Sequence, residues 1–516
     1  MKKTFPRWAV GLFFAAFLLF GLLMAADYGA PWDEQDEMDI LRMNLWEYAR
    51  AFGLDESAFE KRAALGSDLT ISVLTPISES IEQDHGIAAF YPMAGVVMSE
   101  NLTEAQRSAI WHMWCWCIFM LGAFGLYGVC RQLGLSRGMA LLAPLMLLLS
   151  PQFFAHGHFN NKDIALMSLA ACLLWQGLRL MKKPAFSTGL LFSFFGALAA
   201  NTKVAGLALW GLCALFVLIQ QIISRRMKGR VWAVAAVTLF SFFGFYALFT
   251  PALWADPMAF LEYLLVNAVG FQRWQNLILF RGAVFNLRQD SLPVYYLPYM
   301  VLATTPLWLL VLIGAGNALA VFRKPRLDLW LVVLMWALPL GFAVLTRTTV
   351  YNGWRHFYFI YGPMLVLAAW GINQLPKKKL LTALLAVCML FGAVEMVINH
   401  PHQQTFYQPL ARGEDHNELD YWNVSARDAL QTLADHTEGE LTVAPADLWT
   451  EDALEKAILL LDEVTARRFV ITEDAQYVLL NPTYQNFSGY ETAGEPVVDI
   501  RAYGQSIMQI VERMGE

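Results

Sequence analysis

A polytopic α-helical membrane protein with a small α/β domain at its C-terminal end is the fold class this sequence predicts. Three observations carry the prediction. Of 516 residues, 57% are hydrophobic and only 16% charged, where soluble domains hold about 25% charge and about 45–50% apolar residues. Apolar runs close to the ~20 residues that cross a bilayer recur along the chain. From about residue 400 those runs give way to short segments of strand and helix character. The formal net charge of −6 gives no basic surface for nucleic acid. The six cysteines all fall within apolar runs, so no disulfide framework is indicated.

The first run, 8–26, follows the basic segment "MKKTFPR". It is nearly of span length and lacks an A-x-A site before the polar break, so it reads as a retained span rather than a cleaved signal. Further runs lie at 108–129, 139–151, 161–180, 186–200, 204–223, 231–251, 296–321, 328–346, 356–374 and 380–397. Together they predict about eleven spans by the ~20-residue criterion. Basic clusters fall at alternate ends: Arg7, then Arg131 and Arg137, Lys182 and Lys183, "SRRMKGR", "FRKPR" and "PKKK". Lys and Arg accumulate on the cytoplasmic side. The N-terminus is therefore expected inside and the C-terminus outside.

The chain divides accordingly. Residues 1–399 form the membrane part, with a long acidic first outward loop at 27–107; residues 400–516 form the outward domain. In the loop, "DILRMNLWEYARAFG" places Leu41, Leu45, Tyr48 and Phe52 on one helical face, suited to lie along the membrane interface. Beyond residue 400, "SARDALQTL" opens with Ser425 and Asp428 at capping-box spacing. "LTVAPA", "RRFVITE" and "AQYVLLN" read as strands, "TEDALEKAILLLDE" as a helix, and "PVVDIRAYGQSIMQIVE" as a hairpin about "YGQ".

Residues with chemistry concentrate on the outward side. "GAPWDEQDEMD", directly after the first span, holds Asp33, Glu34, Asp36, Glu37 and Asp39. A carboxylate held partly out of water at headgroup depth would have a raised pKa and could act as a base; the plain alternative is a solvated acidic loop. "HGHFNNKD" brings His156, His158, Lys162 and Asp163 to the return between two spans. Metal ligation, phosphate contact and hydrogen bonding to backbone are all open to the two histidines, since H-x-H alone specifies little. Lys203 in "NTKVAG" is a solitary outward cation, either snorkelling or binding a lipid phosphate. "YNGWRHFYFIYGP" sets Arg355 and His356 among Tyr351, Trp354, Tyr358 and Tyr361. The aromatics suit interfacial anchoring, while Arg355 suits bidentate phosphate recognition.

An outward base with several outward cations fits one chemistry: transfer of a sugar from a polyprenyl-phosphate donor. The acceptor hydroxyl needs a base, and the departing phosphate needs positive charge more than a general acid. No Gly-rich phosphate loop is present, and no nucleotide is required.

These motifs resemble those of the dolichyl-phosphate-mannose–protein mannosyltransferase family (glycosyltransferase family 39) of the GT-C membrane superfamily. The resemblance runs through "APWDE", "SPQFFAHGHFNNKD", "ALWADP", "YNGWRHFYFIYGP", "HPHQQTFYQPL" and "NELDYW". It is nearest to bacterial members with a C-terminal outward domain. It implies a GT-C-like fold and inverting hexosyl or mannosyl transfer on the extracytoplasmic face. It further implies Asp33 as general base beside Glu34, and matches the family's "KD" to Lys162 and Asp163. The tripled luminal repeat of the eukaryotic members is missing, so the acceptor is left as glycan, lipid or protein. Arg355, Lys162, Lys203 and His356 are the expected donor-phosphate ligands. His156, His158, Asp163 and Tyr351 are expected in support, with a divalent metal optional and membrane lipids as surroundings. Two other readings compete. A transporter or flippase of lipid-linked sugars would carry polar groups or broken helices at mid-membrane. An assembly protein would leave the outward base and cations unexplained.

Overall fold

A computed structural model describes residues 5–65, 74–269, 276–323, 326–375, 379–413, 417–488 and 495–513. Among them, six helices are long and apolar enough to cross a membrane. The number is eight if each of two bent pairs is counted as one span. The six are Arg7–Asp27, Glu104–Gln132, Asp163–Lys182, Ala205–Ile223, Gly229–Phe249 and Leu327–Thr346.

Several of the expected runs are divided or shortened in the described helices, and the chain itself supplies the reasons. The run 139–151 is divided into Arg137–Leu148 and Pro151–Phe159, bent by 75°. The run 296–321 is divided by Pro306 into Tyr296–Thr304 and Leu307–Phe322, bent by 118°. Proline cannot donate to the preceding helical turn and disfavours helix in the residue before it. The run 356–374 opens as a 3₁₀ turn, Arg355–Ile360, before the 14-residue helix Tyr361–Gln374. The helix Phe186–Thr202 has 17 residues.

Small residues let the central helices approach closely. A Cβ on Gly125 of Glu104–Gln132 would stand 2.9 Å from the backbone nitrogen of Cys172 in Asp163–Lys182. One on Gly371 would stand 2.6 Å from the Cα of Gly316. The start of Glu104–Gln132 is fixed by a capping box: the Gln106 N–H donates to the Thr103 hydroxyl (3.2 Å), and the Thr103 N–H to the Gln106 side chain (3.1 Å).

The first loop forms the helix Glu34–Phe52. Its first half is not laid on a membrane surface. Every residue from Met38 to Asn44 is buried in protein, with Leu41 packed among Phe90, Trp111 and Cys115. Asp39, expected to be solvated, is 1% exposed and paired with Arg42, which is 0% exposed. Arg42 also donates to the Val97 carbonyl at 3.0 and 2.8 Å. Phe52 at the far end is exposed.

Between the runs 231–251 and 296–321 the chain forms the helix Pro257–Val269 and an antiparallel hairpin of β1 (Leu277–Phe280) and β2 (Ala283–Asn286). Beyond residue 400 a five-stranded sheet forms from β3 (Leu441–Pro445), β4 (Phe469–Ile471), β5 (Tyr477–Leu480), β6 (Val498–Ala502) and β7 (Gln505–Glu512). Its order is β4-β3-β5-β7-β6. β3 runs parallel to both β4 and β5, and β7 antiparallel to β5 and β6. The β6–β7 turn is made by Tyr503 (φ 52°) and Gly504 (φ 78°), both left-handed as a tight hairpin requires. The helices Ala426–His436 and Leu448–Leu459 cover one face with Leu430, Leu433 and Leu454 against Leu479 and Ile510. Ser425 does not form the expected capping box. Its hydroxyl and N–H both donate to Asp420, at 2.6 and 2.8 Å.

Candidate active site

The first loop, the turn before Asp163–Lys182 and the turn before Tyr361–Gln374 come together around a cavity of about 400 Å³. Asp33, Glu37, Lys162, Lys203, Arg355 and His356 all line it. Their elements explain the convergence. Pro31 and Trp32 end the chain's exit from the first span, and Asp33 occupies the N-cap position of Glu34–Phe52. Lys162 caps Asp163–Lys182, and Lys203 sits between Phe186–Thr202 and Ala205–Ile223.

Asp33 accepts from the Trp422 indole N–H at 3.2 Å. Burial raises its pKa above the ordinary carboxylate value, and Glu37 adds to the rise. Arg355, the Trp422 bond and Lys162 oppose it. Glu34 is turned away from Asp33's partners: its Oε2 lies 2.7 Å from His112 Nε2, while His112 Nδ1 lies 3.2 Å from the Ala25 carbonyl.

The cations are already partly matched. Lys162 is paired with Glu37, which also accepts from Asn161 at 3.1 Å. Burial works against the Lys162 charge, yet Glu37 and Glu82 hold its pKa above the ordinary value. Lys203 is paired with Asp163. Burial pulls the Lys203 pKa down; Asp163 opposes this, and Arg355 and Lys162 add to it. Asp163 meets Arg355 at 3.5 Å on its other oxygen and accepts from Asn160 at 3.1 Å. Its carboxylate therefore organises two cations and has no spare role as a base.

Arg355 lies over three rings, with its guanidinium carbon 4.8 Å from the Tyr351 centroid, 5.2 Å from Tyr421 and 4.6 Å from Trp422. Such contacts contribute about 0.5–2 kcal/mol each where water is excluded, and they fix the plane of the guanidinium. Its Nε is buried without a hydrogen-bond partner. His356 is held neutral: burial, then Lys203 and Arg355, push its pKa well below the ordinary value. The Lys203 ammonium lies 3.4 Å from His356 Nδ1, which leaves the proton on Nε2. That Nε2 is likewise buried without a partner. Two buried N–H donors thus lack an acceptor among the described residues.

The two histidines of the H-x-H pair separate. His156 lies behind the wall, with Nδ1 3.1 Å from the Asn160 amide nitrogen and Nε2 3.4 Å from the Tyr358 hydroxyl. His158 does not line the cavity. It stacks between Trp116 and Tyr28, each at 4.4 Å, with its nitrogens 3.0 and 3.2 Å from the Phe154 and Gly21 carbonyls. Among the described residues, no three His, Cys, Asp or Glu side chains converge in a way that could hold a metal ion.

Sequence reasoning assigned no role to Glu37, His85, His112 or Trp422. His85 Nδ1 lies 3.0 Å from the Lys162 ammonium. His112 carried a usable signal, as an ionisable residue inside an apolar run. Trp422 was within the quoted "NELDYW".

The fold is shared with solved structures of low sequence identity. The structure is similar to ArnT from Cupriavidus metallidurans bound to undecaprenyl phosphate, at 14% identity and a TM-score of 0.51, covering 98% of each chain. It is similar to the apo state of the same protein at 15% identity and a TM-score of 0.50, again over 98% of each chain. The oligosaccharyltransferase of Archaeoglobus fulgidus overlays at 11% identity and a TM-score of 0.47, over 94% of this chain and 71% of its own. No curated protein sequence matches the chain. Residues 84–254 match the family model described as dolichyl-phosphate-mannose-protein mannosyltransferase. That match covers less than half of the chain. The matched stretch includes Lys162, Asp163 and Lys203; Asp33 and Arg355 lie outside it.

Proposed function

We propose that this protein transfers a hexosyl group, in the manner of a mannosyltransferase, from a polyprenyl-phosphate donor to an acceptor hydroxyl on the extracytoplasmic face of a bacterial inner membrane. The observation that carries the reading is the division of labour in one cavity. Asp33, with its raised pKa, lines the same space as the cations Arg355, Lys162 and Lys203.

The chemistry follows from that division. Asp33 takes the proton of the acceptor hydroxyl as its oxygen attacks the anomeric carbon. The bond from that carbon to the phosphate oxygen breaks, and the phosphate departs with the electron pair. Arg355 Nε–H and His356 Nε2–H donate to the departing oxygens, with the Lys162 and Lys203 charges behind them. A single displacement from the side opposite the phosphate inverts the anomeric centre. Glu34 and Asp163 hold neighbours in place.

A carrier of lipid-linked sugars would share the two bent helix pairs. Ser150, at the first break, is bonded to the Met146 carbonyl and Tyr361, and the second break falls at Pro306. The charged groups gather in the cavity instead, which favours the transferase.

The test uses the purified full-length protein in lipid nanodiscs with undecaprenyl-phosphate sugars and an extract of bacterial envelope acceptors. Mass spectrometry should show a sugar moved to acceptor and free undecaprenyl phosphate released. Transport of the donor across proteoliposomes with no transfer to any acceptor would defeat the reading.

A further inference from the structure

A second cavity, of about 150 Å³, opens on the other side of Trp32. Its walls come from three distant segments: Trp32 in the first loop, Glu418 and Tyr421 in "NELDYW", and Trp449 and Asp452 at the start of Leu448–Leu459. Tyr484 closes the floor and stacks on Trp449 at 5.8 Å with an interplanar angle of 19°. Tyr421 leans on Trp32 at 6.2 Å. Aromatic faces thus stand on two sides. Trp449 is held by Asn423, whose amide donates to its carbonyl at 2.7 Å, and Tyr484 donates to the Tyr421 carbonyl at 2.7 Å.

The polar groups of this cavity are carboxyls. Glu418 is 5% exposed, and neither of its oxygens has a side-chain donor among the described residues. Burial pushes its pKa up to about 8, against Arg355 and the Asn352 backbone N–H. A protonated carboxyl both donates and accepts. Asp452 is exposed at the rim. None of the described lining residues is Lys or Arg.

Rings on two walls, two carboxyls and no cation define the occupant. A phosphate or carboxylate would find no counter-charge among the described lining residues. A sugar ring offers apolar C–H faces to the indoles and phenols and hydroxyl edges to the carboxyls, the pattern of an apolar pocket with a few placed polar groups. The position is equally informative. Trp32 adjoins Asp33, and Tyr421 adjoins Trp422, which donates to Asp33. A ring held here lies one side chain from the base.

We infer that the cavity walled by Trp32, Glu418, Tyr421 and Trp449 is a saccharide subsite for the acceptor, so that the acceptor is a glycan. This deepens the transferase reading and rests on it.

The test applies the full-length protein in nanodiscs to an array carrying bacterial envelope glycans, unglycosylated peptides and lipids. Wild type should capture glycans, and saturating undecaprenyl phosphate should leave that capture intact. Trp449→Ala should weaken it about tenfold, as loss of an aromatic anchor does, and Trp449→Phe should restore most of it. Asp452→Asn, at an exposed position where folding is not at stake, should weaken it too. Capture of no glycan would overturn the inference, as would capture indifferent to both Trp449→Ala and Asp452→Asn. Capture abolished by undecaprenyl phosphate would also overturn it, by assigning the sugar to the donor. Transfer is read separately in the donor assay, so its failure would strike the transferase reading without deciding glycan capture.

Discussion

Trp422 donates its indole N–H to Asp33 at 3.2 Å, although the two residues are 389 positions apart. The bond joins the C-terminal end of the first span to the segment that leads into the sheet. Two further contacts reinforce this junction: Arg427 donates to the Ala26 carbonyl at 2.8 Å, and Lys456 donates to the Trp32 carbonyl. Asp33 is thus placed by the polar C-terminal part of the chain as much as by the membrane part.

Trp422→Phe keeps a ring beneath Arg355 but removes the donor to Asp33. The Trp422 bond lowers the Asp33 pKa, so its loss should raise that pKa further. A base works when ionised, so transfer falls as pH drops through its pKa. The acid limb of the pH–rate profile should therefore move to higher pH in Trp422→Phe. An unmoved acid limb would detach Asp33 from the rate.

Asp33→Asn should lower turnover about 10²–10⁴-fold, the usual effect of a lost general base, with the melting temperature nearly unchanged. Asp39→Asn should behave in the opposite way. It breaks a buried pair with Arg42, at a cost of about 3–5 kcal/mol, while leaving transfer per folded molecule intact. Calorimetry and turnover on the same preparations separate the two outcomes.

Arg355→Lys preserves charge but removes Nε and the flat surface that packs over Tyr351 and Trp422. Binding of undecaprenyl phosphate, measured by native mass spectrometry, should weaken at least about tenfold, since a planar fork is not replaced by a point charge. Undiminished binding in both Arg355→Lys and Arg355→Ala would remove Arg355 from donor recognition.

The basic clusters predict that alkaline phosphatase fused after Asn399 is active and that the fusion after Lys183 is inactive. The reverse pattern would move the whole cavity to the cytoplasmic side.

Much of this organisation was readable from one strand of text. The strand segments "LTVAPA", "RRFVITE" and "AQYVLLN" contain β3, β4 and β5, and "YGQ" contains the β6–β7 turn, because strand and turn preferences are local. Where the runs break was not so readable. Composition reports apolarity, while a break at Ser150 or Pro306 depends on backbone geometry and on what surrounds the bend. The hairpin of β1 and β2 was missed because its strands have only four residues each.

The sequence by itself determined the membrane class, the concentration of ionisable residues at one set of span ends, and the motifs that resemble a glycosyltransferase family. These follow from residue type and spacing, which solvent reads directly through burial and charge. The tertiary structure alone decided what each charge does. It buried Asp39 against Arg42, removed His158 to a stack of rings, neutralised Asp163 with Lys203 and Arg355, and left Arg355 Nε and His356 Nε2 without partners. The physical reason is that a side chain's protonation and availability depend on neighbours within a few ångströms, and here those neighbours lie up to 389 positions away along the chain.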